Sequence, residues 1–161
     1  MIGPLLTISG LGILASILTA ARTPRLWLAG VLLWAGGGLG AAVLALSTGA
    51  AWDLQSALTV GGEAIHLRLD ALSALFLALL CLVSGAGAVY GRGYWTDRAH
   101  PRSAWLSRVW WSTLVLCLEL VLLTANGLHF LIAWELFTVS AYFLVTLDRQ
   151  RSEVREAGIG S

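Results

Sequence analysis

The chain has 161 residues, of which 58% are hydrophobic and 12% charged, with a mean hydropathy of +0.81. Soluble domains carry about a quarter charged residues, so a chain this poor in charge lacks the polar coat of a soluble catalytic domain. Its formal net charge of +1 argues against a nucleic-acid binder, which needs a basic patch to neutralise phosphates.

The first apolar run covers 2–21 and contains no charge. At 1.5 Å per residue such a run spans a bilayer core of about 30 Å. No basic stretch precedes it, which argues against a cleaved signal peptide. Ala21-Arg22-Thr23-Pro24-Arg25 is a tight basic loop, and a second uncharged run follows over 26–47. Its Gly36-Gly37-Gly38-Leu39-Gly40 stretch points to close helix packing, with a kink as the alternative. Segment 52–70 is more polar. Ile65, Leu67 and Leu69 alternate with His66, Arg68 and Asp70, the period of a strand, and Gly61-Gly62 lies between two such stretches. A short β-hairpin outside the membrane is expected there, with His66 as a solvated strand residue.

A third run covers 71–90 and ends in Ser84, Gly85, Ala86, Gly87 and Ala88, a small-residue contact face. Gly91 to Arg108 reads as a basic loop with Arg92, Arg98, Arg102 and Arg108 against Asp97. Beyond it, Ala125-Asn126-Gly127 divides a long apolar stretch into helices over 109–125 and 128–147. A polar tail covers 148–161. The expected fold is therefore an all-α integral membrane domain of about five transmembrane helices, with one extracytoplasmic hairpin between the second and third. Many of the eight tryptophans lie near the ends of apolar runs, as an interfacial belt requires.

All ten basic residues are arginine. With five spans, nine of them fall after the first, third and fifth helices, and Arg68 alone on the other side. The positive-inside rule then puts the N-terminus outside and the C-terminus in the cytoplasm of a cell (inner or plasma) membrane protein.

Two carboxylates stand inside apolar helices. A mid-membrane acid costs about 2.5–3.5 kcal/mol on insertion scales, so it ordinarily faces protein or water and serves a function. Counted from the turn near Asn126, Glu119 and Glu135 each lie roughly 11–13 Å from the outer helix end, at matching depth. They could face each other or share a cavity. Thr138, Tyr142 and Thr146 continue one face from Glu135 towards the basic side, and Ser112 lies seven residues from Glu119 on the same helical face. This arrangement suits a proton path; the plainer reading is that both acids fasten neighbouring helices. His129 reads as structural and His100 as a loop residue. Cys81 and Cys117 read as buried apolar side chains. No nucleophile triad, metal-ligand cluster or nucleotide loop is found, and no cofactor is expected.

The stretch Leu123-Thr124-Ala125-Asn126-Gly127-Leu128-His129-Phe130-Leu131-Ile132-Ala133-Trp134-Glu135-Leu136 resembles the antiporter-like proton-translocating membrane subunits. These are shared by respiratory complex I, multisubunit Na⁺/H⁺ antiporters and membrane-bound hydrogenases, with hydrogenase-4 component B and formate hydrogenlyase subunit 3 the most alike. Ser140-Ala141-Tyr142-Phe143-Leu144-Val145, Leu67-Arg68-Leu69-Asp70-Ala71-Leu72-Ser73, and Asp148-Arg149-Gln150 to Ala157-Gly158 fit the same pattern. The resemblance implies proton or cation translocation by a non-catalytic membrane subunit of an oxidoreductase (NADH:quinone or hydrogenase-like) or antiporter complex. Its partners would be the lipid bilayer and the other membrane subunits of that complex. It implies that Glu135 pairs with a lysine on a later helix, and less specifically that Glu119 is a second proton-handling acid. Family members are far longer, and the lysine-bearing segments would follow Ala157. The chain is thus expected to be the N-terminal part of a larger family domain, incomplete by itself.

Overall fold

The structure, a computed structural model, describes residues 1–147. Five helices and one hairpin follow in order: α1 (Ile2–Thr19), α2 (Pro24–Thr48), β1 (Trp52–Val60), β2 (Glu63–Leu69), α3 (Ala71–Tyr94), α4 (Ala104–Leu123) and α5 (Gly127–Val145). All five helices are long and apolar enough to cross a membrane. The expected polar tail and its Arg149, Arg151 and Arg155 lie outside the described residues.

Three of the helix starts follow from local chemistry. Pro24 opens α2 at the first helical position, where its missing N–H is not needed. Asp70 caps α3 by accepting a hydrogen bond from Ser73 N at 2.8 Å. That bond, to a backbone N–H, holds the Asp70 carboxyl below the usual carboxylate range. Asn126 caps α5 in the same way through Leu128 N at 2.8 Å. Gly61 and Gly62 take φ of 63° and 88°, the left-handed pair that a tight hairpin turn demands.

The hairpin is antiparallel and pairs Trp52 with Leu69, Leu54 with Leu67 and Val60 with Glu63, with one irregularity between Gln55 and Thr59. It is fastened to the α4–α5 turn. Ala125 N donates to His66 O at 2.9 Å, Leu67 bridges Thr124, and His129 Nε2 lies 3.1 Å from Val60 O. His129 is therefore a buried fastener, while His66 pairs with Asp53 at 2.8 Å across the strands.

Central to the bundle is α4, which packs on α1, α3 and α5, while α2 joins α1 to α3. The glycine run of α2 serves close packing rather than a break, since the helix is continuous through it. Within the run a Cβ at Gly37 would come within 2.8 Å of Leu5 O and one at Gly38 within 2.6 Å of Cys81 Sγ, and equally close approaches occur at Gly12 and Gly30. A Cβ at Gly12 would come within 2.6 Å of Trp34 N, and one at Gly30 within 2.8 Å of Gly12 O. Only backbones without side chains come this close.

Two expected boundaries move. α3 runs on to Tyr94 and α4 begins at Ala104, so Arg92 and Arg108 belong to helices and not to the connecting loop. Apolar length marks only the part of a helix that avoids water. Backbone hydrogen bonding carries it further, as in Trp95 N to Gly91 O at 2.8 Å. Among the described residues the starts of α2 and α4 and the ends of α3 and α5 gather at one end of the bundle, around a shared cavity. The hairpin and the α4–α5 turn form the opposite end.

Candidate functional site

The interior polar groups come from three helices, each contributing two residues seven positions apart. These are Ser9 and Ser16 on α1, Trp27 and Trp34 on α2, and Ser112 and Glu119 on α4. Seven residues are close to two helical turns, so each pair lies on one face, about 10.5 Å apart along its axis. Because α1 and α2 run antiparallel, the six residues assemble into two layers of one serine, one indole and one α4 side chain.

The first layer holds Glu119. Its Oε2 accepts from Trp34 Nε1 at 2.8 Å, and its Oε1 lies 2.9 Å from Ser9 Oγ, which is also 3.1 Å from Trp34 O. Trp34 and Ser9 are wholly buried, and Glu119 is 4% exposed. This geometry accommodates the carboxyl in either protonation state. Ionised, it accepts from both Trp34 and Ser9. Protonated, it can donate to Ser9 Oγ, whose own proton turns to Trp34 O, while the indole bond is kept. A hydroxyl rotation suffices, and no buried group loses its partner.

In the second layer Ser16 Oγ lies 2.8 Å from Ser112 Oγ, which accepts from Trp27 Nε1 at 2.9 Å. One turn along α4, Arg108 is 7% exposed. Its Nε donates to Ala20 O at 2.8 Å, satisfying a carbonyl at the C-terminal end of α1, and Nη1 meets Asp97 Oδ1 at 2.9 Å. Ile13 and Val115, both wholly buried, stand between the two layers in sequence.

Glu135 is placed differently. It lies on the exposed side of α5, eight residues or about 12 Å into that helix. Thr138 and Tyr142 share its exposed face, with Thr138 Oγ1 bonded back to Trp134 O at 3.0 Å. Thr146, expected on the same stripe, is buried. The two acids of matching depth therefore do not share a cavity among the described residues: Glu119 is buried against α1 and α2, and Glu135 is exposed on the outermost helix. α5 packs chiefly on α4, and Leu131, Trp134, Leu136 and Val139 around Glu135 are exposed with it.

The sequence pointed to Glu119 and Ser112 but missed Ser9, Ser16, Trp27 and Trp34. An interfacial belt accounts for many of the tryptophans in the sequence, but Trp27 and Trp34 donate indole N–H groups inside the bundle. The shared seven-residue spacing was the available signal. Cys81 and Cys117 are free buried thiols, and no group of His, Cys, Asp or Glu among the described residues is arranged to hold a metal.

These features define a five-helix apolar bundle with an internal hydrogen-bonded acid and a second acid on its outer face. The chain is similar to two uncharacterized proteins from two strains of Mycobacterium tuberculosis, Rv0083 and MT0090. Each is 33% identical over 98 residues, a stretch that covers 59% of this chain and 14% of the relative. The chain thus matches a small part of a much longer protein. No family model matches it.

Proposed function

We propose that this chain is a multi-pass membrane subunit of a proton- or cation-translocating complex, of the antiporter-like kind its Trp134-Glu135-Leu136 segment resembles. The observation that carries the reading is Glu119, a carboxyl inside an apolar bundle whose partners satisfy it with or without its proton through rotation of one hydroxyl. Glu135 supports it from the other side. An acid exposed half-way along an apolar helix is costly against lipid tails, so a further protein surface covers that face of α5. The 14% coverage of the relatives is consistent with additional chain or subunits supplying that surface. On this reading Glu135, Thr138 and Tyr142 line a path at the junction with that surface, and Glu119 is an internal proton-holding acid. The driving reaction belongs to partner subunits of a respiratory or hydrogenase-type complex.

A structural role is the second reading. Both oxygens of Glu119 have partners on α1 or α2, which ties three helices in one register. The two readings separate in native membranes carrying a tagged chain, where partners are identified by co-purification. Dye-reported ion uptake by inverted vesicles is then followed with NADH, hydrogen or formate as donor. Translocation requires that Glu135→Gln assemble normally yet lose most donor-coupled uptake, because an amide cannot exchange a proton. Unchanged uptake in both Glu135→Gln and Glu119→Gln would leave only the structural role.

A further inference from the structure

At the arginine-rich end of the bundle, a cavity of about 1100 Å³ opens between the start of α2, the end of α3, the start of α4 and the end of α5. Its walls combine two kinds of chemistry. Trp27, Trp111, Leu144 and Val145 are apolar, whereas three arginines, Arg25, Arg92 and Arg108, line it with one acid, Asp97. Arg108 is already committed to Asp97 and Ala20. Among the described residues Arg25 and Arg92 have no carboxylate within ion-pair distance and are exposed. Three lining residues also keep buried ring nitrogens with no hydrogen-bond partner among the described residues: Trp95 Nε1, Trp111 Nε1 and His100 Nδ1. Gly87 is part of the construction, since a Cβ there would come within 2.9 Å of the Trp111 ring.

We propose that this cavity holds an anionic phospholipid, with its phosphate headgroup beside Arg25 and Arg92 and its upper acyl chains against the tryptophan and leucine walls. A bare anion would leave the apolar walls uncovered, and an uncharged amphiphile would leave the two guanidinium groups uncompensated. The volume exceeds what most small soluble ligands need, and the opening lies at the helix ends, where headgroups reside. Basic pockets between helices on the arginine-rich side of a membrane protein suit this class of lipid. The proposal rests on the membrane placement proposed above and on nothing said of proton movement.

The test uses the full chain purified in detergent and titrated with brominated phosphatidylglycerol or brominated phosphatidylcholine, read as quenching of tryptophan fluorescence. Half-quenching is expected at an on-the-order-of-tenfold lower mole fraction of the anionic lipid, the contribution of two guanidinium groups acting on one headgroup. The double variant Arg25→Gln/Arg92→Gln should bring the two lipids together. Gly91→Leu should weaken quenching by the anionic lipid without removing a charge, because a Cβ at Gly91 meets nothing within 4 Å and the longer side chain would fill the cavity. Equal quenching by both lipids in the unmodified protein overturns the proposal, as does a preference that survives the double variant. Displacement of the anionic lipid by millimolar inorganic phosphate overturns it too, since the site would then recognise phosphate alone. Alkaline carbonate extraction of cell membranes separates the two premises. A chain that washes off defeats both the membrane reading and this site, whereas one that stays but shows no preference defeats only the site.

Discussion

Trp34 and Glu119 meet at 2.8 Å, the indole N–H of α2 donating to the carboxyl of α4 across 85 residues of sequence. Both are buried, so the bond has no water to replace it when one partner is removed. Glu119→Leu should leave the indole N–H unsatisfied and cost about 1–3 kcal/mol. Glu119→Gln can still accept from Trp34 and donate to Ser9, and should cost far less. The coupling between Trp34→Phe and Glu119→Leu in a double-mutant cycle should fall near the ~0.6–1.7 kcal/mol found for hydrogen bonds between membrane helices. Reversible unfolding in mixed micelles measures all four species; a Glu119→Leu chain as stable as the unmodified one would remove the network from the account of stability.

Gly12 and Gly36 make a matched pair for the contact between α1 and α2. A methyl group at Gly12 would come within 2.6 Å of Trp34 N and 2.9 Å of Gly30 O, both backbone atoms that cannot swing aside. Gly12→Ala should therefore force the helices apart at about 1–3 kcal/mol. At Gly36 a Cβ meets nothing within 4 Å, so Gly36→Ala should be neutral or raise stability by up to about 1 kcal/mol through helix propensity. The same unfolding measurement ranks the two, and equal effects would contradict the close approach.

Asp70 links stability to pH outside the apolar spans. Its carboxyl is held below the ordinary carboxylate value by the Ser73 N–H bond. The folded state therefore binds that proton less readily than the unfolded state does. The stabilisation is fully present above about pH 4, the unfolded value, and is lost as pH falls through the lower folded value. Asp70→Ala should cost about 1 kcal/mol at neutral pH. Asp70→Asn should keep most of the cap and flatten the acid limb of the stability profile, which thermal unfolding from pH 3 to pH 7 would reveal.

Much of this architecture was legible in sequence because it depends on local pattern. Uncharged runs of sufficient length marked the five helices, alternation around Gly61-Gly62 marked the hairpin, and Asn126 marked the α4–α5 boundary. The end of α3 and the start of α4 were not legible, since hydropathy falls at the polar end of a helix before its hydrogen bonding stops. Trp27 and Trp34 were not legible as interior donors either. A tryptophan at a membrane surface and one bonded inside a bundle look alike along the chain, and the partners here lie 85 residues away. For Glu135 the periodicity joined it to Thr138 and Tyr142 on one face. Whether that face is buried depends on where α4 packs, which periodicity does not encode.

The last expectation concerns which end faces the cytoplasm. Among the described residues Arg22, Arg25, Arg92, Arg98, Arg102 and Arg108 gather at or near one end of the bundle, and Arg68 on the hairpin is the single arginine near the other. Short loops rich in arginine resist translocation, so the end bearing six should stay in the cytoplasm and the hairpin should cross to the outside. The connections are short enough for the rule to apply: Ala20–Thr23 and Trp95–Ser103 on the basic side. Cysteine labelling can read this directly, because the native thiols Cys81 and Cys117 are buried and give a low background. Ala57→Cys, exposed on the hairpin, should react with a membrane-impermeant maleimide in intact cells. Ala99→Cys, exposed in the α3–α4 connection, should react only after the membrane is permeabilised. Replacing Arg98 and Arg102 with glutamine while adding two arginines to the hairpin removes most of the asymmetry, and should yield a mixed population in which both sites label in part. Labelling of Ala99→Cys but not Ala57→Cys in intact cells would reverse the orientation, and would put the proposed lipid cavity in the outer leaflet.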